Sequence, residues 1–282
     1  KRFDRALDII YHSSHKNIQF DTTIIEETII GIIKASDSNL FSRMQYELAK
    51  VVYLLDKRED ANLQTLYSIE VLLYRLLEHH GNINDTKFIK EIMSNPESLM
   101  EIIDKTYLSS DENERSAEIE QVKNDNSYAL LGWHIFYTLR QTPFVDSNNT
   151  IDEVALNNYI DQLQTLGNAK HKIKGVNTVI GELLGNYPET EDYPPIPICD
   201  IIERLNNKEV NDGFRTRLYN KRGVTVRPAY EGGTLEKNEA DKYKKYADKI
   251  RCTHPIVCSI FDDLSSDYNR MAKTEDTKAK LE

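Results

Sequence analysis

The sequence predicts an all-α fold: an irregular multi-helix bundle, or a solenoid-like stack of helix pairs. Three observations carry the prediction. Apolar residues recur at the 3.6-residue helical spacing along nearly the whole chain. Residues that favour helix starts stand ahead of several of those runs. Short polar loops separate them, giving about ten to twelve helices of two to five turns. No repeat of fixed period is visible, so no named solenoid family follows.

The elements can be justified in order. Asp21 precedes TTIIEETIIGIIK as a helix start. The six isoleucines between residues 24 and 33 favour a strand by composition, but their 25-29-32-33 spacing and the paired Glu26 and Glu27 favour helix. Phe41, Met44, Leu48, Val51, Val52 and Leu55 form one apolar stripe. Asp60 is expected to start the next helix, striped by Leu66, Ile69, Leu73, Leu76 and Leu77. His79 and His80 fall at the end of that helix, where cations complement the dipole, and Gly81 supplies the stop. Asp85 precedes KFIKEIM, and Pro96 sits at a first-turn position where its missing N–H costs nothing.

Farther on, Ile173, Val176, Ile180, Leu183, Leu184 and Tyr187 form a stripe, as do Val257, Ile260, Phe261, Leu264, Tyr268 and Met271. Such stripes need facing stripes, so the helices pack on one another. Two segments interrupt the pattern. Residues 109–126, SSDENERSAEIEQVKNDN, are acidic with almost no apolar side chain, and read as an exposed loop or short solvated helix. They are the expected boundary between an N-terminal helical subdomain (1–108) and a C-terminal one (127–282). Residues 186–197, NYPETEDYPPIP, hold four prolines, which predict an extended crossing.

Composition narrows the function classes. The chain has 282 residues, 39% apolar and 29% charged, enough for one large or two ordinary domains. No apolar run approaches the eighteen residues of a membrane-spanning helix, and no signal peptide is visible. The first residues, Lys1-Arg2-Phe3, and the charged tail KTEDTKAKLE suggest a piece of a larger protein. Cys199, Cys252 and Cys258 are odd in number and lack metal-ligand spacing, which predicts reduced thiols in a cytoplasmic protein. The net charge of −10 opposes non-specific binding to nucleic acid or anionic membranes over the surface as a whole.

Against that acidity stands NKRGVTVRPAYEGG, residues 220–233. From Phe214 to Tyr230 the chain carries five basic residues, Arg215, Arg217, Lys221, Arg222 and Arg227, and no acid. Gly223, Gly232 and Gly233 allow backbone conformations closed to other residues. Gly232-Gly233 also leaves free N–H groups at the start of TLEKNEADKYKKYADKI, where an anion can bind. These are candidate residues for an anion pocket or a docking loop. The bland alternative, which we favour at this stage, pairs the arginines with the protein's own carboxylates. Neither a Walker motif nor G-x-G-x-x-G is present.

Other candidates have weaker grounds. Arg75 and His80 show the Arg-x4-His spacing of HEPN-type RNases, in which the histidine acts as general acid or base. Leu76 stands where that family usually has a polar residue, and the acidic balance disfavours an RNA-cutting surface. His12 and His15 read as loop surface, His134 as part of a buried helix, and His254, before Pro255, as part of a helix break. Paired acids such as Asp262-Asp263 read as solvated helix faces. Sixteen tyrosines exceed eight phenylalanines and one tryptophan. Many, including Tyr107, Tyr128, Tyr187, Tyr243, Tyr246 and Tyr268, fall at helix-stripe positions; most of these suit half-buried core, while the excess of tyrosine favours a contact surface.

From about residue 128 the chain shows NYP, a proline-rich link to ICDIIERLNN, the N-x-RGV-x-x-R and Glu-Gly-Gly elements, then TLEKNEADKYKKYA and SIFDDLSSDYNRMAKTED. This order resembles a helical C-terminal region of large multidomain bacterial proteins, some of the kind thought to act in anti-phage defence. The resemblance implies an accessory helical domain and carries over no catalytic residue. The expected function is therefore a non-catalytic interaction or scaffold domain, without cofactor or metal. Its partner would be another protein or flanking domains of the same polypeptide. The alternatives are a small-anion or nucleotide sensor built on residues 215–233, or an Arg75/His80 RNase.

Overall fold

The computed structural model describes residues 2–16, 18–35, 38–223 and 231–280. Among them the fold is all-α: sixteen α-helices, one short 3₁₀ turn and a single isolated β-bridge, Val145 to Ile151. The expectation of ten to twelve helices is too low, in part because two long stripes are broken. The stripe through residue 55 divides at Met44, and the one from Leu66 to Leu77 divides at Leu73. The chain forms two compact units, Lys1–Ile92 and Met93–Glu282. The acidic segment 109–126 belongs to the second.

The first unit holds α1 (Phe3–Ser14), α2 (Thr22–Lys34), α3 (Ser38–Arg43), α4 (Gln45–Asp56), α5 (Leu63–Leu72), α6 (Tyr74–His80) and the start of α7 (Lys87–Ser94). Leu48, Val51, Val52 and Leu55 of α4 are fully buried, each contributing roughly 1.5–3 kcal/mol by leaving water. Ile25, Ile29 and Ile32 bury the inner face of α2, and Asp21 caps it by accepting the Thr23 N–H at 2.9 Å.

Two expected helix starts differ. Asn62, rather than Asp60, caps α5 by accepting the Thr65 N–H at 3.0 Å. Asp60 is held by a forked ion pair with Arg58 and by the Thr22 hydroxyl. Asp85 ends the 3₁₀ turn instead of capping α7. The first N–H groups of α7 go to distant carboxyls: Lys87 N–H to Asp56 at 2.7 Å, and Phe88 N–H to Glu70 at 2.9 Å. Gly81 does end α6, but in extended backbone. A Cβ there would lie 2.5 Å from the Tyr53 ring, so close approach rather than a left-handed turn calls for glycine.

The second unit holds α8 (Pro96–Thr106), α9 (Glu112–Asn124), α10 (Ser127–Thr138), α11 (Glu153–Ala169), α12 (Ile173–Gly185), α13 (Ile196–Leu205), α14 (Lys208–Lys221), α15 (Thr234–Ile250) and α16 (Pro255–Ala279). Pro96 opens α8 behind an Asn95 cap, as expected. The acidic segment becomes α9, whose residues are all at least partly exposed. The proline-rich stretch stays non-helical through Pro195, and Pro197 falls in the first turn of α13.

Helices α12 and α14 cross at backbone contact. A Cβ on Gly181 would fall 2.1 Å from the Val210 carbonyl oxygen, and one on Gly213 would fall 2.2 Å from that of Thr178. Tyr193, Tyr243, Tyr246, Phe261 and Tyr268 form one aromatic cluster around α15 and α16, with Tyr243 stacked on Tyr268 at 5.8 Å. Tyr193, Tyr243 and Tyr268 of this cluster are each 1% exposed and so belong to the core.

Candidate functional site

The basic segment begins inside the α12–α14 crossing. Arg217 is 2% exposed; its Nε donates to the Asn186 side-chain oxygen, and Nη1 donates to the Tyr137 carbonyl at 3.0 Å. Lys221 donates to the Tyr187 carbonyl and lies 5.9 Å from the Tyr193 ring centre. Burial lowers the basicity of both, Lys221 to about 8 and Arg217 to about 10, the latter helped by the charge of Arg140. Arg215 pairs with Asp267 on α16. Arg222 pairs with the buried Glu236 at 2.6 Å and lies 5.5 Å from the Tyr268 ring.

Residues 224–230, and with them Arg227, fall outside the described residues. Beyond them Gly232 takes a left-handed φ of +64°, and the Gly233 N–H donates to Asp276 Oδ1 at 2.9 Å. Lys237 holds the other oxygen of Asp276 at 2.7 Å. A helix N-terminus attracts anions because its N–H groups are unpaired and its dipole is positive. In α15 that place is taken by the protein's own carboxylate. The segment thus brings its basic groups to helix ends and acids of this same unit.

Sequence reading missed one further cation. Lys172 is 2% exposed and donates to the carbonyls of Asp104 (3.0 Å) and Tyr107 (2.5 Å) and to Glu118 (2.6 Å). It closes the end of α8 and anchors α9. The sequence signal is slight: Lys172 is one of three lysines in KHKIK, residues 170–174, around the start of the Ile173 stripe. Glu182, on α12, is also buried enough for its carboxyl to titrate at about 7, with Arg217 partly opposing the shift.

Arg75 and His80 both lie on α6. Five residues apart, they point about 140° apart around α6. Arg75 is exposed, whereas the His80 ring lies edge-on to Tyr46 at 5.8 Å and to His79 at 4.8 Å. His12 lies on α1 and bonds the Asp8 carbonyl. His254 caps the buried end of α16 between Asp200 (2.9 Å) and the Thr253 hydroxyl (2.8 Å).

The helix carrying His134 differs most from expectation. It reads as buried, yet α10 buries only one face, through Gly132, Ile135, Phe136 and Thr138. Gly132 sets this arrangement, because a Cβ there would lie 1.8 Å from the Thr106 hydroxyl on α8. The opposite face presents Leu130, Trp133 and Tyr137, which are 51%, 48% and 62% exposed at i, i+3, i+7 spacing. Tyr128 is also exposed, but two residues before Leu130 it lies on another side of α10, under the Lys105 ammonium at 5.5 Å. Trp133 is supported from behind by Tyr107, ring centres 4.9 Å apart. Leading into this face, residues 109–126 carry six carboxylates and two cations.

No known protein family, curated protein or solved structure matches the chain. Among the described residues no helix is long and apolar enough to cross a membrane.

Proposed function

We propose that the chain is a non-catalytic, all-α interaction domain whose second unit docks an amphipathic helix of a partner protein, basic on its polar side, against α10. The observation that carries this reading is the exposed stripe of Leu130, Trp133 and Tyr137. Isolated exposed apolar residues are ordinary, but a continuous aromatic stripe on a rigid helix is how interface anchors are presented. With about 200 Å² for each large side chain, half-exposure of three gives roughly 300 Å². That is over a third of the about 800 Å² that one side of a standard interface buries, enough for its apolar centre.

Charge selects the occupant. The second unit carries 24 Lys and Arg against 32 Asp and Glu, a net −8, and the acidic α9 leads directly into α10. A second copy would bring like charges together, whereas a basic helix would be steered in. Three unpaired thiols suit a reducing, cytoplasmic setting. The basic segment 215–233 then acts as an internal brace. Its alternative role as a small-anion or nucleotide sensor would require Asp276 to leave the Gly233 N–H.

Trp133 is the chain's only tryptophan, so its emission reports directly on the stripe. Titration with an eighteen-residue Leu/Lys amphipathic helical peptide should shift that emission to shorter wavelength and saturate. Tyr137→Ala should weaken the affinity by about 2 kcal/mol, roughly 30-fold, as expected of an anchor. An unchanged spectrum, or equal binding of the Leu/Glu version of the peptide, would refute the reading.

A further inference from the structure

The first unit contains a groove of about 640 Å³ that the interaction reading does not use. One wall of it is the second face of α4. While Leu48, Val51, Val52 and Leu55 face the core, Tyr46, Lys50, Tyr53 and Lys57 recur at i, i+4, i+7 and i+11 along the groove, a ladder of alternating rings and amines. Tyr46 is half exposed, with Tyr11 edge-on to it at 6.1 Å and the Lys50 ammonium 5.2 Å from its ring centre. The Tyr53 phenol is fixed by donating to the Leu77 carbonyl at 2.8 Å, so that ring forms a standing wall.

Charges of both signs line the groove. His15 and the amines of Lys50, Lys57 and Lys90 line it together with Asp56 and Asp85. Both carboxylates have structural partners: Asp56 holds the first N–H of α7 at 2.7 Å, and Asp85 accepts from the Asn82 amide at 2.7 Å. Lys50 gives one hydrogen bond, to the His80 carbonyl at 3.3 Å, and keeps two donors. In an acidic protein, a concave site where lysines alternate with tyrosine rings runs against the average surface. The two needs such a ladder answers are a planar apolar ring and an anionic group a few ångströms from it. The volume falls within the range of small-molecule sites.

We infer that this groove binds a nucleoside monophosphate, with the base against Tyr46 and Tyr11 and the phosphate between Lys50 and Lys57. Asp85, which lines the same groove, is placed to accept a sugar hydroxyl. The site is separate from the basic segment 215–233 and does not depend on docking at α10.

Thermal unfolding of the full chain with AMP, GMP, CMP or UMP tests the inference, with adenosine and inorganic phosphate as controls. At least one nucleotide at 100 times its dissociation constant should raise the melting temperature by several degrees, since it binds only the folded state. Adenosine and phosphate alone should do far less. Lys50→Ala/Lys57→Ala and Tyr46→Ala should each abolish the shift, and titration calorimetry should show at least a tenfold loss of affinity. These positions lie away from the buried stripe of α4, so the unliganded variants should melt near the wild type; if one does not, calorimetry on its folded form replaces the melting comparison. The inference is overturned if no nucleotide shifts the protein, if the shift survives the double variant, or if phosphate alone reproduces it.

Discussion

At their most buried helix termini the two units rely on different groups, carboxyls in the first and cations in the second, although Lys50 closes the end of α6 in the first and Asp276 the start of α15 in the second. Every helix leaves unpaired N–H groups at its start and unpaired carbonyls at its end. In the first unit, the start of α7 is satisfied by buried carboxyls, Asp56 and Glu70. In the second, helix ends are satisfied by buried cations: Lys172 at the end of α8, Arg217 at the end of α10 and Lys221 just past α12. The difference teaches where the charge of a highly charged chain goes. Basic residues 215–222 sit in an acidic unit because its helix ends need them, and basicity there is poor evidence of a ligand. In the first unit Lys50 spends only one donor on a helix end, the His80 carbonyl of α6, and a groove of amines and rings remains open.

The largest expected effect breaks the cation side of this comparison. Arg222→Ala strips its charge partner from Glu236, whose side chain is 2% exposed. The expected loss is about 3–5 kcal/mol, roughly 10 °C in melting temperature. Adding Glu236→Gln to that variant should restore part of it. Arg217→Ala comes next. It leaves the Asn186 amide oxygen and the Tyr137 carbonyl without their donor, at about 2–3 kcal/mol in denaturant unfolding. If both variants melt with the wild type, the brace account fails.

The carboxyl side has a pH signature. Burial, aided by a hydrogen bond with Asp56, raises the Glu70 carboxyl to about 8 from 4.5. The folded state therefore keeps a proton that the unfolded chain gives up above about pH 4.5. Its contribution to stability is full below that pH and falls as pH rises towards 8. Unfolding of the first unit should weaken over that window, and Glu70→Gln should flatten the dependence. A wild-type profile already flat there would show that Glu70 is ionised in the folded protein. The smallest effect belongs to the docking face: Leu130→Ala should change stability by less than about 1 kcal/mol, because the side chain is already half in water.

Much of the helical layout was legible in the sequence, because it rests on local signals. The Asp21 cap, the α4 stripe and Pro96 at the start of α8 are decided by neighbours within a turn. Starts fixed from a distance were not legible. Asp56 reaches α7 across 31 residues and Glu70 across 18. The same limit governs residues 215–233. Their basicity is plain in the sequence, but their partners Asp267 and Asp276 lie 52 and 43 residues away. The exposed face of α10 was hidden for another reason. A helix as apolar as SYALLGWHIFYT reads as buried on all sides, and only the approach of Gly132 to Thr106 decides which side is left in solvent.

Amide hydrogen exchange of the whole chain, with and without the Leu/Lys peptide, tests the central claim most directly. The account predicts new protection along residues 111–138, with residues 214–222 already protected and unchanged by the peptide. Protection appearing in the basic segment instead, with α10 unaffected, would contradict it.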